Sequence, residues 1–299
     1  MAGFSNYTAN TVLNYLTGQT PAPTLPAVWL ALFTAVGTDA GTGFTEVSTA
    51  GTAYARLQVA GSVAATASFT TGSPNITMTT NPGWVVPGMS VYDTTKTPAP
   101  GAFVGTVLTY VGTALVLTAN SAIASQGTTD NLTFSIFPQA SGTSPASTQN
   151  TAAVSYAAAT GAGFGTVIAW GLYDAVTVGN LLEWDFLGNF NWLPFEIPTA
   201  SSLATVKGNG MSSNDPVVFT AEFGGTLPTL STGTMTGYTV NFVATPATDA
   251  INVDTTTGPA TPIVTTSSGS GMVRKIVQQS IPAGVTASFA AAAFTLTLS

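Results

Sequence analysis

Neither cysteine nor histidine occurs anywhere in these 299 residues. The first absence excludes a disulfide framework and thiolate chemistry, and with them the usual staple of small extracellular β domains. The second excludes an imidazole general base and an ordinary zinc or iron site. Charge is also scarce. Only 6% of residues are Asp, Glu, Lys or Arg, against roughly 25% in an average soluble domain. Five basic and 12 acidic residues give a formal charge of -7, so no surface is suited to tracking phosphates and nucleic acid is not an expected partner. Mean hydropathy is high at +0.37, yet no apolar run reaches the ~18–20 residues of a membrane-spanning helix. The longest, Leu25 to Val36, contains Pro26 and Thr34 and reads as a strand. No basic n-region opens the chain, so no secretory signal peptide is expected. With no His, no Cys and few carboxylates, the chain is a poor candidate for an enzyme, and no metal or cofactor is expected.

What is present is Gly, Pro, Thr and Ala: 31 glycines and 18 prolines punctuate short apolar segments of strand length. Solubility must come from hydroxyls and amides, or from burying surface in an assembly. Two stretches organise the rest. Leu25 to Ala60 runs LPAVWLALFTA, breaks at TDAGTGFTEVSTAGTA and resumes as YARLQVA; Val154 to Phe186 runs VSYAA, TVIAWGLYDA and LLEWDF. Neither has enough strands to bury its own faces, so the two are expected to pair. The fold class is mainly β: a small scaffold with an N-terminal helix, interrupted by two inserted barrel- or sandwich-like modules. The scaffold comprises residues 1–63, 138–191 and 276–299, and the inserts are 64–137 and 192–275.

The helix is expected in GFSNYTANTVLNYLTG, capped by Ser5 or Asn6 and stopped at Gly18. Its interior Thr and Asn lower its propensity, so packing against the scaffold is expected to hold it. AVWLALFTA is a strand whose near-continuous apolarity predicts burial on both faces, or on one face against that helix. Tyr54 to Ala60 is the next strand. Residues 64–137 contain about six short strands separated by SPN, NPG, TPAPG and VGT turns. Residues 192–275 contain four or five, including PVVFTAEF, GYTVNFVA, AINVDTTTG and GMVRKI. In the closing segment Phe294, Leu296 and Leu298 alternate with polar residues. This predicts a half-buried strand entered by a tight turn through the four alanines.

Read end to end, the scaffold pieces resemble a family of tailed-bacteriophage tail-fibre proteins. The resemblance rests on Gly3 to Gly18, on Val28 to Val59 with its ALFTA…TDAGTGFTEVS…YAR string, on Phe164 to Leu182, and on Ile281 to Leu298. Val36-Gly37 stands where the pattern has a proline before Thr38, and AAAAFTL replaces AAGALT. The resemblance implies a non-enzymatic structural protein on the virion, a homotrimer touching capsid, tail or baseplate proteins; contact with host-surface glycan is a separate expectation that falls on outward loops. Capsid decoration is the alternative, and a glycan-processing enzyme the more distant rival.

Several residues have two readings. Asp39, Glu46 and Arg56 contact a partner, or Asp39 caps the DAG turn while Arg56 pairs with Glu46. Asp39 has too few neighbouring carboxylates for a calcium loop. Glu183, Asp185 and Glu196 would be the acids of a glycosidase site. Alternatively Glu183 and Asp185 form a solvated strand face opposite Trp184. The tryptophans, Trp84 and Trp192 among them, are core anchors or sugar platforms. Arg274 and Lys275 anchor a carboxylate across a module or subunit boundary, or guard a strand edge. Loops at Asn81-Pro82-Gly83-Trp84 and Phe223-Gly224-Gly225 are the expected glycan contacts.

Overall fold

The computed structural model describes residues 3–20, 27–67, 73–93, 102–118, 130–139, 146–221, 224–233, 235, 237–257 and 262–298. The chain opens with β1 (Gly3–Phe4), α1 (Asn6–Leu16), β2 (Ala27–Ala35), β3 (Thr45–Glu46) and β4 (Leu57–Ala67). Next come β5 (Asn75–Thr77), β6 (Ser90–Asp93), β7 (Ala102–Val111), β8 (Ala114–Leu117) and β9 (Asp130–Ser135). Then follow β10 (Ala146–Gln149), β11 (Val154–Ala158), β12 (Gly165–Val167), β13 (Ala169–Tyr173) and β14 (Leu181–Phe186). Six strands come from the second expected insert: β15 (Leu193–Ile197), β16 (Leu203–Thr205), β17 (Pro216–Thr220), β18 (Asn241–Ala247), β19 (Ala250–Asp254) and β20 (Gly269–Lys275). The chain closes with β21 (Gln279–Ile281), β22 (Thr286–Phe289) and β23 (Thr295–Leu298).

The two organising stretches do pair. β2 lies between β13 and β4, with Gly171 opposite Ala31 and Leu172 opposite Leu30. The resulting 11-stranded sheet runs β1-β14-β13-β2-β4-β9-β6-β7-β8-β5, with β3 joined to β2. Side chains alternate along a strand, and on β2 both sets are buried. Leu30 and Leu32 face one core with Tyr156, Phe164, Val167 and Phe294. Ala31 and Phe33 face another with Trp184, Phe186, Val218 and Ile276. The near-continuous apolarity of AVWLALFTA thus reflects burial on both faces. Gly171 is required at the centre of this sheet, because a Cβ there would meet the buried Phe33 ring at 2.6 Å.

On the first face lie three two-stranded antiparallel pairs, β10 with β23, β11 with β22 and β12 with β21. They join residues 146–167 to residues 279–298. The alanine run is the expected tight turn, with Ala292 at φ 63 and Ala293 N–H donating to Ala290 O. It delivers the buried Phe294 against Trp170, ring centroids 5.0 Å apart.

The second face is covered by the barrel. β15-β16-β19-β18-β17-β20 close on themselves around Phe195, Ile197, Val206, Phe219, Val243 and Val253. Closure pairs Leu193 with Val273, so the two ends of this segment meet, which is the geometry an insertion needs. In β17, Val217 and Phe219 point into the barrel, while Val218 points out onto the sheet beside Ile276.

Two expectations need correction. Of the two anticipated barrel- or sandwich-like modules only the second closes. The strands of 64–137 extend the open sheet instead. β9 pairs both β4 and β6, and Ile76, Val91, Val107, Leu115 and Phe134 share one core with Leu30 and Tyr156. The physical cause is β4, whose eleven residues continue beyond Ala60 and offer a free edge to β9. The second correction concerns α1. Ser5 caps it by accepting from Thr8 N–H (3.2 Å), and Gly18 at φ 74 follows its end, as expected. None of its residues is fully buried, and only Thr8, Thr11 and Val12 are half-buried, so packing against the scaffold is confined to one side, from Thr8 to Val12.

Candidate functional site

The string that carries the resemblance folds into a buried polar knot. Arg56 lays its guanidinium along Glu46, with Nε donating to Oε1 (3.0 Å) and Nη2 to Oε2 (2.7 Å). Its Nη1 donates to the carbonyls of Ala175 (3.0 Å) and Val178 (2.8 Å), and its plane lies 3.6 Å from the Tyr173 ring centroid. Tyr54 O–H donates to Glu46 Oε1 (2.9 Å) and accepts from Leu32 N–H (2.9 Å), while its ring stacks on Tyr156 at 5.7 Å. Burial, then the Glu46 charge, push the Tyr54 phenol far up, so it acts as a permanent donor. Arg56 also sits above its ordinary value: desolvation pulls it down, and the bond to Glu46 more than offsets this.

The pairing of Arg56 with Glu46 is therefore real, and it ties the loop after β3 to the β13–β14 connection. Lysine cannot reproduce the five-donor fork. We expect Arg56→Lys to cost about 1–3 kcal/mol, the value of charge-assisted hydrogen bonds lost, and to increase amide exchange across residues 174–180. Unchanged exchange there would show that Arg56 does not hold that connection. Asp39 belongs to a second contact: its Oδ1 accepts from Trp184 Nε1 (3.0 Å), and its carbonyl accepts from Asn6 N–H (2.8 Å). Asp39 thus links β14 to the start of α1.

Where barrel meets sheet, Arg274 and Lys275 each find a carboxylate. Arg274, only 4% exposed, donates to Asp185 through Nη1 (2.5 Å) and Nη2 (3.2 Å), and to Gly188 O (3.0 Å). The Phe186 and Trp192 rings flank it, each at 5.8 Å. Lys275 pairs with Asp215 within the barrel (2.7 Å). Of the two readings for these residues, Arg274 takes the boundary anchor: β20 pairs on both sides and is no edge. Trp192 is an anchor in the same place, 6.3 Å from Phe186 and 6.2 Å from Tyr238.

On the acidic strand face Asp185 is half-buried and Glu183 is removed from solvent. Glu183 is 5% exposed, and its carboxyl is pushed up to about 8 by burial and secondarily by the Asp185 charge. Trp184 on the opposite face is fully buried, because the sheet is covered on both sides. Glu196 is exposed on β15, far from that environment in burial. The sequence carried no signal for this burial: Leu182, Trp184 and Phe186 make one parity of LLEWDF apolar, while Glu183 and Asp185 mark the other as a solvated face.

A cavity of about 390 Å³ lies beside Asp185, floored by Trp170, Phe186, Leu187 and Phe289 and rimmed by Asn189 and Gln279. Asp185 is already neutralised by Arg274, and nothing in the rim pairs a nucleophile with a base. Among the described residues no three carboxylates come together to hold a metal ion. Trp84 packs edge-on against Phe134 at 6.1 Å in a loop tightened by Asn81 Oδ1 accepting from Gly83 N–H (2.8 Å). Phe223 lies outside the described residues.

The fold is β-rich: an open sheet with three strand pairs on one face and a closed barrel on the other. Residues 3–96 match the family described as Podophage GP4 fiber I protein gp80. The matched part is under a third of the chain and contains Asp39, Glu46, Tyr54 and Arg56, so it supports kinship with phage structural proteins over that stretch. No curated protein matches the chain.

Proposed function

We propose that this chain is a non-enzymatic structural protein of a tailed-bacteriophage virion, of tail-fibre type. The observation that supports it most is the match of residues 3–96 to a podophage fibre family. Within that match the most specific residues are committed to the Glu46–Arg56–Tyr54 knot, which is a demand of architecture rather than of catalysis. In this reading 1–63, 138–191 and 276–299 fix the protein to neighbouring virion proteins, and 64–137 and 192–275 are directed outward. The neutral loops at Asn81–Trp84 and Phe223–Gly225 face host-surface glycan. A homotrimer is the assembly implied by the resemblance.

The test is to locate the chain on intact particles by density mapping or immunogold labelling. Placement on tail or fibre is the expected result. Placement on the capsid lattice would make it a decoration protein and overturn the fibre assignment. Absence from washed virions would sink the virion reading altogether.

A further inference from the structure

Along helix α1 only Thr8, Thr11 and Val12 are half-buried, and the other residues are exposed. Tyr7, Leu13, Tyr15 and Leu16 all face solvent, Leu16 at 72%. Only its first turn is tied down. Ser5 Oγ donates to Leu181 O, Thr8 Oγ1 donates to Leu182 O (2.7 Å), and Asn6 N–H donates to Asp39 O (2.8 Å). An isolated helix of eleven residues, several of them Thr and Asn, falls below the ~12–15 residues at which helices become even marginal in water. Its anchored first turn and the half-buried Thr11 and Val12 support it from the body, and every residue from Leu13 to Leu16 is left exposed.

The exposed side is patterned. At 100° per residue, Ala9, Leu13 and Leu16 fall within a sector of about 60°, with the small Ala9 at the end nearer the body. Thr8, held to β14, lies on the flank that faces the body, about 110° from the centre of that sector. Bordering the apolar stripe, Asn6, Asn10 and Asn14 recur every fourth residue and are exposed. No described hydrogen bond uses their side-chain amides. A carboxamide is both donor and acceptor, so an asparagine row pairs with a copy of itself, as a leucine stripe does.

Charge decides between partners. The segment from Gly3 to Thr38 contains no Asp, Glu, Lys or Arg, while the whole chain carries -7. A different protein recognising an acidic surface would be matched to it by opposite charge, and this face offers none to match. Two copies of an acidic chain, in contrast, meet at lowest electrostatic cost through an uncharged segment.

We propose that α1 is a self-association element, packing against α1 of a second copy of this chain through Ala9, Leu13 and Leu16, with Asn6, Asn10 and Asn14 bridging alongside. The inference rests on the homo-oligomer part of the functional reading and names its surface; it does not require the virion. Such a helix is about 16 Å long and covers less than the ~800 Å² per partner of a standard interface, so association is expected at high micromolar concentration.

The chain has no cysteine, which makes a single introduced thiol an unambiguous reporter. The full-length Leu13→Cys variant should form a disulfide-linked species under mild oxidation, and Thr248→Cys, on an exposed barrel hairpin, should not. In sedimentation velocity from 5 to 500 µM (about two decades around the expected range), the wild type should gain mass with concentration. The Leu13→Glu/Leu16→Glu variant should remain monomeric with the same unfolding midpoint. A wild type that stays monomeric throughout, with no cross-link at position 13, overturns both the contact and the oligomer. Association that persists in the double variant without a cross-link keeps the oligomer and overturns α1 as its surface.

Discussion

Asp185→Ala is expected to destabilise the protein by about 3 kcal/mol, at the lower end of the range for breaking one side of a buried ion pair. Arg274 is almost wholly inside, and its Nε already has no hydrogen-bond partner. Removing the carboxylate leaves a buried guanidinium with Gly188 O as its remaining described acceptor. The cost stays at the low end because the Asp185 side chain is 29% exposed, so water can enter the space it vacates. Arg274→Met should cost less, since it removes the charge with the fork and keeps a flexible stem against Phe186 and Trp192. The double variant should recover most of the loss caused by Asp185→Ala alone, the non-additivity expected of residues in contact. Urea unfolding of the four proteins at pH 7 checks this. A double variant no more stable than Asp185→Ala would mean that Asp185 contributes through something other than satisfying Arg274. Because the pair is mostly buried, 0.5 M salt (several times physiological ionic strength) should change the difference little.

The same junction shows where sequence reasoning ran out. The strand AVWLALFTA announced burial on both faces by its composition, and the closing strand announced itself through Phe294 and Leu296. The Glu46–Arg56 pair was legible because both partners are side chains ten residues apart. Its remaining contacts, to the carbonyls of Ala175 and Val178, were not, since a backbone carbonyl has no sequence signature. The strands of 64–137 have the turn chemistry of a closed module. Whether they close or extend a sheet depends on the pairing of Ala60 with Ser135, a contact 75 residues apart that local patterning does not encode. LLEWDF alternates acid with aromatic as a half-exposed strand does. The partner of Asp185 on that parity, Arg274, arrives about 90 residues later in the chain. For the acidic strand the sequence thus pointed to the wrong environment. Glu183 is the clearest instance, and it carries the largest pH effect.

Between pH 4.5 and 8 the stability of the protein should fall through Glu183. Its carboxyl is raised from 4.5 to about 8, chiefly by burial and next by the neighbouring Asp185 charge. Across that window the folded state holds a proton that the unfolded state has released, so unfolding becomes easier as pH rises. The slope from one such group is about 1.4 kcal/mol per pH unit, summing to about 4–5 kcal/mol at pH 8. Below pH 4.5 both states are protonated and above 8 both are ionised, so this contribution is flat on either side. Glu183→Gln keeps a neutral side chain of the same shape at every pH. It should leave stability near the wild-type value at pH 5, raise it by several kcal/mol at pH 8.5, and remove one proton from the pH dependence. Asp185→Asn should shift the wild-type transition to lower pH by removing the secondary cause, although it also weakens the hold on Arg274. Urea midpoints measured every half unit from pH 4 to 9, a range that brackets both ends of the titration, would settle the matter. Parallel curves for wild type and Glu183→Gln would show that Glu183 is ionised in the folded protein and that its burial is compensated by a partner.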